Sequence, residues 1–205
     1  MARPRGSVDR PATRKKIIRA AAEAFAKSGY HSTSLSEIAA SAGMRAPSLL
    51  YHFPSKEVLF DEVIRHAYRQ FEEELTPIFT SADSPRSILL RLFKLLLEFE
   101  ERNHGIVRLL NAELLSPDQH GAAAIRDTMM PLIEQFEDQL RAASGHRIHP
   151  DAPVRQALLH IMAAHAMRTN LGELAHEIWG TPDHELALAS ALFDAVLAWP
   201  PTKSE

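Results

Sequence analysis

Residues 31–56 read HSTSLSEIAASAGMRAPSLLYHFPSK. Ser34 stands three residues before Glu37, the spacing at which a capping hydroxyl and a carboxylate satisfy each other's backbone N–H groups. Leu35, Ile38, Ala39 and Ala42 then recur at helical spacing, so a short helix is predicted that stops at Gly43. After a tight turn, Arg45 to Phe53 can form another short helix, with Pro47 tolerated near its first turn and Pro54 forbidding its continuation. Two short helices joined through a glycine turn make Leu35 to Phe53 a helix-turn-helix candidate. The second of them exposes Arg45, Ser48, Tyr51 and His52, all able to hydrogen-bond to DNA.

Working outward, Ile17, Ile18, Ala21, Ala22 and Phe25 predict a helix from Arg14 to Ser28, capped by Thr13 and ended by Gly29. Residues 1–12, with Arg3, Arg5 and Arg10 among Pro and Gly, show no periodicity and read as a flexible basic arm. Ser55 caps a long helix from about Lys56 to Leu75. Further helices are predicted over Pro85–Arg102, His104–Leu115, Pro117 to about Ala143, Val154 to about Ile178 and Asp183–Trp199. No strand-type alternation and no internal repeat occurs, so the fold class is all-α. The expected organisation is the arm (1–12), a three-helix helix-turn-helix head (13–60) and a helical-bundle body (61–205) that binds an effector and dimerises.

The charge divides along the same line. The 205 residues hold 23 Lys+Arg and 26 Asp+Glu, a net charge of −3. Residues 1–56 carry 10 basic and 3 acidic groups, a net +7, which leaves −10 on the remainder. A basic head can meet a polyanion while the acidic body is held away from it. The absence of Cys excludes disulfides, thiolate zinc sites and cysteine nucleophiles. No run of about 18 apolar residues occurs, and a cytoplasmic protein is expected. There is no HExxH, phosphate loop or nucleophile elbow, so no enzyme and no cofactor is expected.

The stretch from Ala20 to Leu59 resembles the N-terminal domain of the TetR family (TetR/AcrR-like) of bacterial transcription regulators. The elements that carry the resemblance are Phe25, Gly29-Tyr30, Thr33-Ser34, Ile38-Ala39, Ala42-Gly43, Tyr51-His52-Phe53, Ser55-Lys56-Glu57 and Leu59. The resemblance implies a DNA-binding head and a body that dimerises through its last two helices. It further implies that Thr33 bonds a phosphate, that Arg45, Pro47 and Ser48 face bases, that Tyr51 and His52 touch the DNA backbone, and that Lys56 anchors a phosphate. The family usually has an aromatic residue where this chain has Leu50, which leaves that side chain either to pack or to meet a thymine methyl. Thr33 and Ser34 are equally suited to capping, Phe53 to the core, and His52 to packing on the following helix.

In the body, Ala164, Leu186, Ala189, Ser190, Phe193 and Val196 are the expected dimer interface, since the last two helices are apolar over more than one face. The expected pocket is lined by Phe93, Leu97, Met129, Met130, Phe136 and Met162, with His104, His165 and Arg168 orienting an unidentified small-molecule effector. The function expected is a ligand-responsive regulator, a repressor that binds a palindromic operator as a homodimer. Two alternatives remain: a di-iron-type protein using Glu101/His104 and Glu173/His176, a pairing that composition yields by chance, and an acidic helical adaptor.

Overall fold

The structure is a computed structural model and describes residues 10–80, 84–116, 120–145 and 148–199, apart from the side chain of Pro182. All regular structure among the described residues is helical. The helices are α1 (Arg10–Ser32), α2 (Leu35–Ser41), α3 (Ala46–His52), α4 (Lys56–Phe79), α5 (Pro85–Leu115), α6 (Ala122–Ala143), α7 (Val154–Leu171), α8 (Leu174–Trp179) and α9 (Pro182–Leu197). Much of the expected arm, Arg3 and Arg5 included, lies outside the described residues, but Arg10, Pro11 and Ala12 belong to α1. The proline fits a first helical turn, so Thr13 sits inside the helix and does not cap it. Gly29 interrupts α1 with φ 75° and ψ 170°, and Tyr30–Ser32 form a last turn beyond it.

Four predicted boundaries moved. α4 runs through Pro77 to Phe79 because Leu75, Ile78 and Phe79 are all buried, and the Thr76 hydroxyl donates to the Glu72 carbonyl near the proline break. The two helices expected over 85–115 form one element broken at Asn103 (φ −128°, ψ 28°), whose side-chain amide donates to the carbonyl of Phe99. α6 starts at Ala122 and passes through the exposed Pro131. The long helix expected to reach Ile178 is divided at Gly172 into α7 and α8.

Two cores result. The first joins Ile17, Ala21 and Phe25 of α1 to Ile38 and Ala39 of α2, Leu49 of α3, Phe53, and Leu59, Phe60, Val63 and Ile64 of α4. It also takes in Leu109 of α5 and Ala124 and Ile125 of α6, so the head rests on the body across a continuous apolar surface. Gly105 permits the close approach of α5 to α1, since a Cβ there would lie 2.9 Å from the Ala26 Cβ. The second core is built from Leu75 and Phe79 of α4, Ile88, Leu92 and Phe93 of α5, Ile133, Phe136 and Leu140 of α6, Leu158 and Ile161 of α7, and Ala189, Phe193 and Val196 of α9. Met129 touches both cores. α4, α5 and α6 contribute to both cores, and the first half of α4 closes the head while its second half walls the body.

Candidate nucleic-acid interface and body pocket

The capping box read from the sequence is formed. The Ser34 hydroxyl accepts from the Glu37 N–H at 3.1 Å, and the Glu37 carboxylate accepts from the Ser34 N–H at 2.9 Å. Those hydrogen bonds, from the Ser34 backbone and then its hydroxyl, hold the Glu37 carboxyl below the usual carboxylate range. Gly43, at φ 65°, turns the chain from α2 to α3 in the left-handed region. Leu49 and Phe53, both fully buried, pin one side of α3 to the head. The opposite side is therefore displayed: Arg45, Pro47, Ser48, Leu50 and Tyr51 are exposed, Tyr51 by 70%. Leu50 is thus an exposed apolar side chain on the candidate recognition surface, outside the core.

A cleft of about 730 Å³ runs between this surface and the start of α1, lined by Arg10, Thr13, Lys16, Gly43, Met44, Pro47, Ser48, Tyr51 and His52. Arg10 lies over the Tyr51 ring at 5.0 Å, and Arg14 lies over Phe53 at 4.2 Å while donating to the His52 carbonyl at 3.0 Å. Arg10, Arg14 and Lys16 of α1 thereby share one surface with α3. Lys16 was not among the expected contact residues, and Arg10 was expected in a basic arm that either stays in solvent or follows the minor groove; the signal for both was the Arg-Lys-rich start of α1.

Two expected phosphate ligands are otherwise engaged. Thr33 is 4% exposed and its hydroxyl donates to the carbonyls of Gly29 (2.7 Å) and Ala24 (3.3 Å), closing the end of α1. Lys56 Nζ donates to the carbonyls of Tyr30 (2.9 Å), Thr33 (3.2 Å) and His31 (3.4 Å), and lies 4.3 Å from the centre of the Tyr30 ring. An ammonium has three donors, so this set saturates it. The physical reason is the Gly29 break, which leaves carbonyls at the end of α1 in need of donors. Tyr30 completes the knot by donating from its hydroxyl to Glu57 at 2.9 Å. Burial, then this hydrogen bond, pushes the phenol up to about 12, and the same contact, after the Glu57 backbone and Ser55 hydroxyl, helps hold the Glu57 carboxyl low.

In the body, a narrow apolar cavity of about 50 Å³ is lined by Tyr68, Phe71 and Leu75 of α4, Leu92 and Leu96 of α5, Met129, Leu132, Ile133 and Phe136 of α6, and Leu158 and Met162 of α7. Met129, Phe136 and Met162 of the expected set line it, whereas Phe93 belongs to the surrounding core, and Leu97 and Met130 are half-buried away from it. The α4 contribution was not expected because the pocket was placed among the helices after residue 85. His104 is exposed and pairs with Glu100 at 3.7 Å, too far out to orient a ligand in this cavity. His165 and Arg168 are brought together one turn beyond Met162, beside the carboxylates of Glu100 and Glu185.

The expected dimer residues face the wrong way. Ala189, Ser190, Phe193 and Val196 are buried in the subunit's own core, Leu186 packs against it, and Ala164 is half-buried. Ser190 accepts from Arg86 at 2.9 Å. A helix apolar on two faces does not announce which one its own subunit takes. The outward faces carry Leu159, Ala163 and Met167 on α7 and Ala187, Leu188, Ala191 and Ala195 on α9. Glu101, His104, Glu173 and His176 are all exposed, and no group of three or more His, Cys, Asp or Glu residues is placed to hold a metal among the described residues.

This arrangement meets its counterparts at the head. The family model for bacterial regulatory proteins of the tetR family matches residues 17–63. The head is thus similar to that of the tetR-family regulators. The matched stretch covers α2 and α3 whole, most of α1 and the first third of α4, the same elements that enclose the head's core. Among relatives, the HTH-type transcriptional regulator RutR of Escherichia coli K12 is 31% identical over 133 residues, 64% of this chain and 59% of RutR. The HTH-type transcriptional repressor KstR2 of Mycolicibacterium smegmatis is 35% identical over 104 residues, 50% of this chain and 51% of that one. The chain thus spans less than two thirds of the length of these TetR-family relatives. The whole fold is shared more widely: the transcriptional regulator FadR of Bacillus subtilis, solved in complex with stearoyl-CoA, superposes with a TM-score of 0.71 over 91% of this chain and 99% of that one, at 18% identity. No described helix is long and apolar enough to cross a membrane.

Proposed function

We propose that the chain is a ligand-responsive transcription regulator, a cytoplasmic non-enzymatic repressor that binds a palindromic operator as a homodimer and is released by a small molecule. The observation that carries this reading is the single basic surface on which α3 displays Arg45, Pro47, Ser48, Leu50 and Tyr51 beside Arg10 and Lys16 of α1. Lysine and arginine contacts to phosphates supply affinity independent of sequence, and side chains projecting from α3 read base edges in the major groove. RutR and KstR2, a regulator and a repressor, support the same reading.

Dimerisation follows from the exposed faces of α7 and α9. Alanines at 163, 187, 191 and 195 permit close helix approach, while Leu159, Met167 and Leu188 supply apolar area. A two-fold axis there sets two recognition helices on one side of the duplex, about 34 Å apart, when the heads match successive turns of the groove. The effector enters the body cavity; the FadR neighbour was itself solved in complex with a small molecule, stearoyl-CoA. A cavity of about 50 Å³ admits only a few atoms, so a ligand of ordinary size forces α4 outward at Tyr68, Phe71 and Leu75. Because α4 begins at Lys56, directly after the recognition helix, that motion changes the spacing of the heads. A ligand that prefers the displaced state weakens operator binding by its difference in affinity, and the operator weakens ligand binding by the same factor.

The test is in-vitro selection of bound DNA with the full chain, followed by gel shift on the selected sequence. The expected result is a palindrome bound by two chains with an affinity that falls steeply with salt. Selection that returns no preferred sequence overturns the reading.

A further inference from the structure

The body buries charge beside its cavity. His165, 5% exposed, points Nε2 at Glu100 Oε2 (3.2 Å) and Nδ1 at Glu185 Oε1 (3.7 Å), and Arg168 Nε lies 3.6 Å from Glu185 Oε2. The Glu185 side chain is 4% exposed and neither of its oxygens has a hydrogen-bond partner among the described residues; His165 Nδ1 and Arg168 Nε have none either. A carboxylate enclosed this far costs several kcal/mol to within an order of magnitude unless donors reach it. The donors nearest to Glu185 stand beyond hydrogen-bond length. The quartet also continues the cavity wall: Glu100 is one turn beyond the lining residue Leu96 on α5, and His165 is one turn beyond Met162 on α7.

We propose that Glu185 and Glu100 form the polar end of the effector site and take the ammonium group of an amine whose apolar chain occupies the adjoining cavity. This rests on the reading of the body as effector-binding and adds the ligand's charge. Two carboxylates face one guanidinium in the quartet, and a carboxylate ligand would add a third negative charge there where a monocation adds none. An ammonium brings three donors and no acceptor, which suits two unfilled Glu185 oxygens and the nearby Glu100. The apolar part meets Met129 and Met162, whose unbranched side chains adapt to different shapes.

The probes are octylammonium and octanoate, equal in chain length and opposite in charge, titrated calorimetrically into the full chain. The expected result is octylammonium binding at least tenfold tighter than octanoate, with Glu185→Gln removing that preference and Met162→Trp, which fills the cavity, weakening octylammonium. Circular-dichroism melting confirms that each variant is folded, and the comparison of the two probes on the unaltered chain stands without any variant. Octanoate binding as well as octylammonium, no binding of either, or a folded Glu185→Gln chain that keeps the preference overturns the proposal. Gel shifts on the selected operator with the same preparations separate the outcomes: retained operator binding with no amine preference removes only this inference, and absent operator binding removes the regulator reading.

Discussion

The head and the body are packed from similar residues, yet they treat polar groups and space differently. In the head, Phe25 and Phe60 meet edge to face at 4.9 Å with both rings fully buried, and Lys56, Thr33 and the Tyr30–Glu57 pair serve the backbone and carboxyl groups around the Gly29 break. In the body, a cavity remains among α4, α5, α6 and α7, and most of the buried side-chain atoms that lack a hydrogen-bond partner among the described residues belong to His165, Arg168 and Glu185. Space and unmet polar groups lower stability, so their concentration in one half points to a half that changes state. The head, held by these contacts, presents a fixed surface.

The largest test of this contrast is a core truncation in each half. Phe25→Ala is expected to cost about 3–5 kcal/mol and to abolish operator binding, whereas Met162→Ala, at an existing cavity, is expected near the low end of about 2 kcal/mol for such truncations. Denaturant unfolding of both variants decides the point, and equal losses would break the contrast. Next is Arg45→Ala, expected to lower affinity for the selected operator by about 1–3 kcal/mol, or roughly 5- to 150-fold, with the melting temperature unchanged because its side chain makes no cap hydrogen bond. A gel shift at fixed salt measures it.

The phenols sharpen the comparison from the alkaline side. Burial raises both Tyr68, in the body wall, and Tyr30, in the head, to about 12. Their folded-state values exceed the unfolded value near 10, so the stability they contribute is present below pH 10 and is lost as pH rises toward 12. In a Tyr51→Phe chain, ultraviolet titration should show phenolate appearing together with unfolding; ionisation near pH 10 in the folded protein would contradict the burial. Glu37 and Glu57 act on the acid side: both are held low, so their contribution is present above the ordinary carboxylate range and fades as pH falls through their folded values.

The smallest expected effects separate two lysines. Lys16→Ala should reduce the slope of log affinity against log salt by about one phosphate contact and leave stability alone. Lys56→Ala should lower the melting temperature of the head, since three carbonyls lose their donor, with the salt slope retained. A reversed outcome would return Lys56 to the role that the family resemblance implied.

The helix-turn-helix was legible because its determinants are local. Ser34, Glu37, Gly43, Pro47 and Pro54 act on backbone within a few residues, and the apolar stripe between them has one possible inner face. The interface expectation on α9 failed for the opposite reason. That helix is apolar around most of its circumference, so Phe193 and Val196 were as suitable for a partner as for the core until α5 and α7 were in place. The roles of Thr33 and Lys56 were hidden because they depend on carbonyls released by the Gly29 break, up to 26 positions away from the lysine. Glu185 gave no signal at all: an acidic residue in the first turn of a helix ordinarily complements the helix dipole in solvent, and its burial arises only from the approach of α7.

By itself, then, the sequence determined the all-α class, the helix-turn-helix head and the division of charge, because hydrophobic period, caps and net charge act over short range or by simple addition. Which apolar face turns inward, which polar groups meet beside the cavity, and which basic groups are already occupied were decided only by tertiary packing. Those outcomes depend on pairs far apart in the chain, and burial changes a polar group from a solvated one into one that must find a partner.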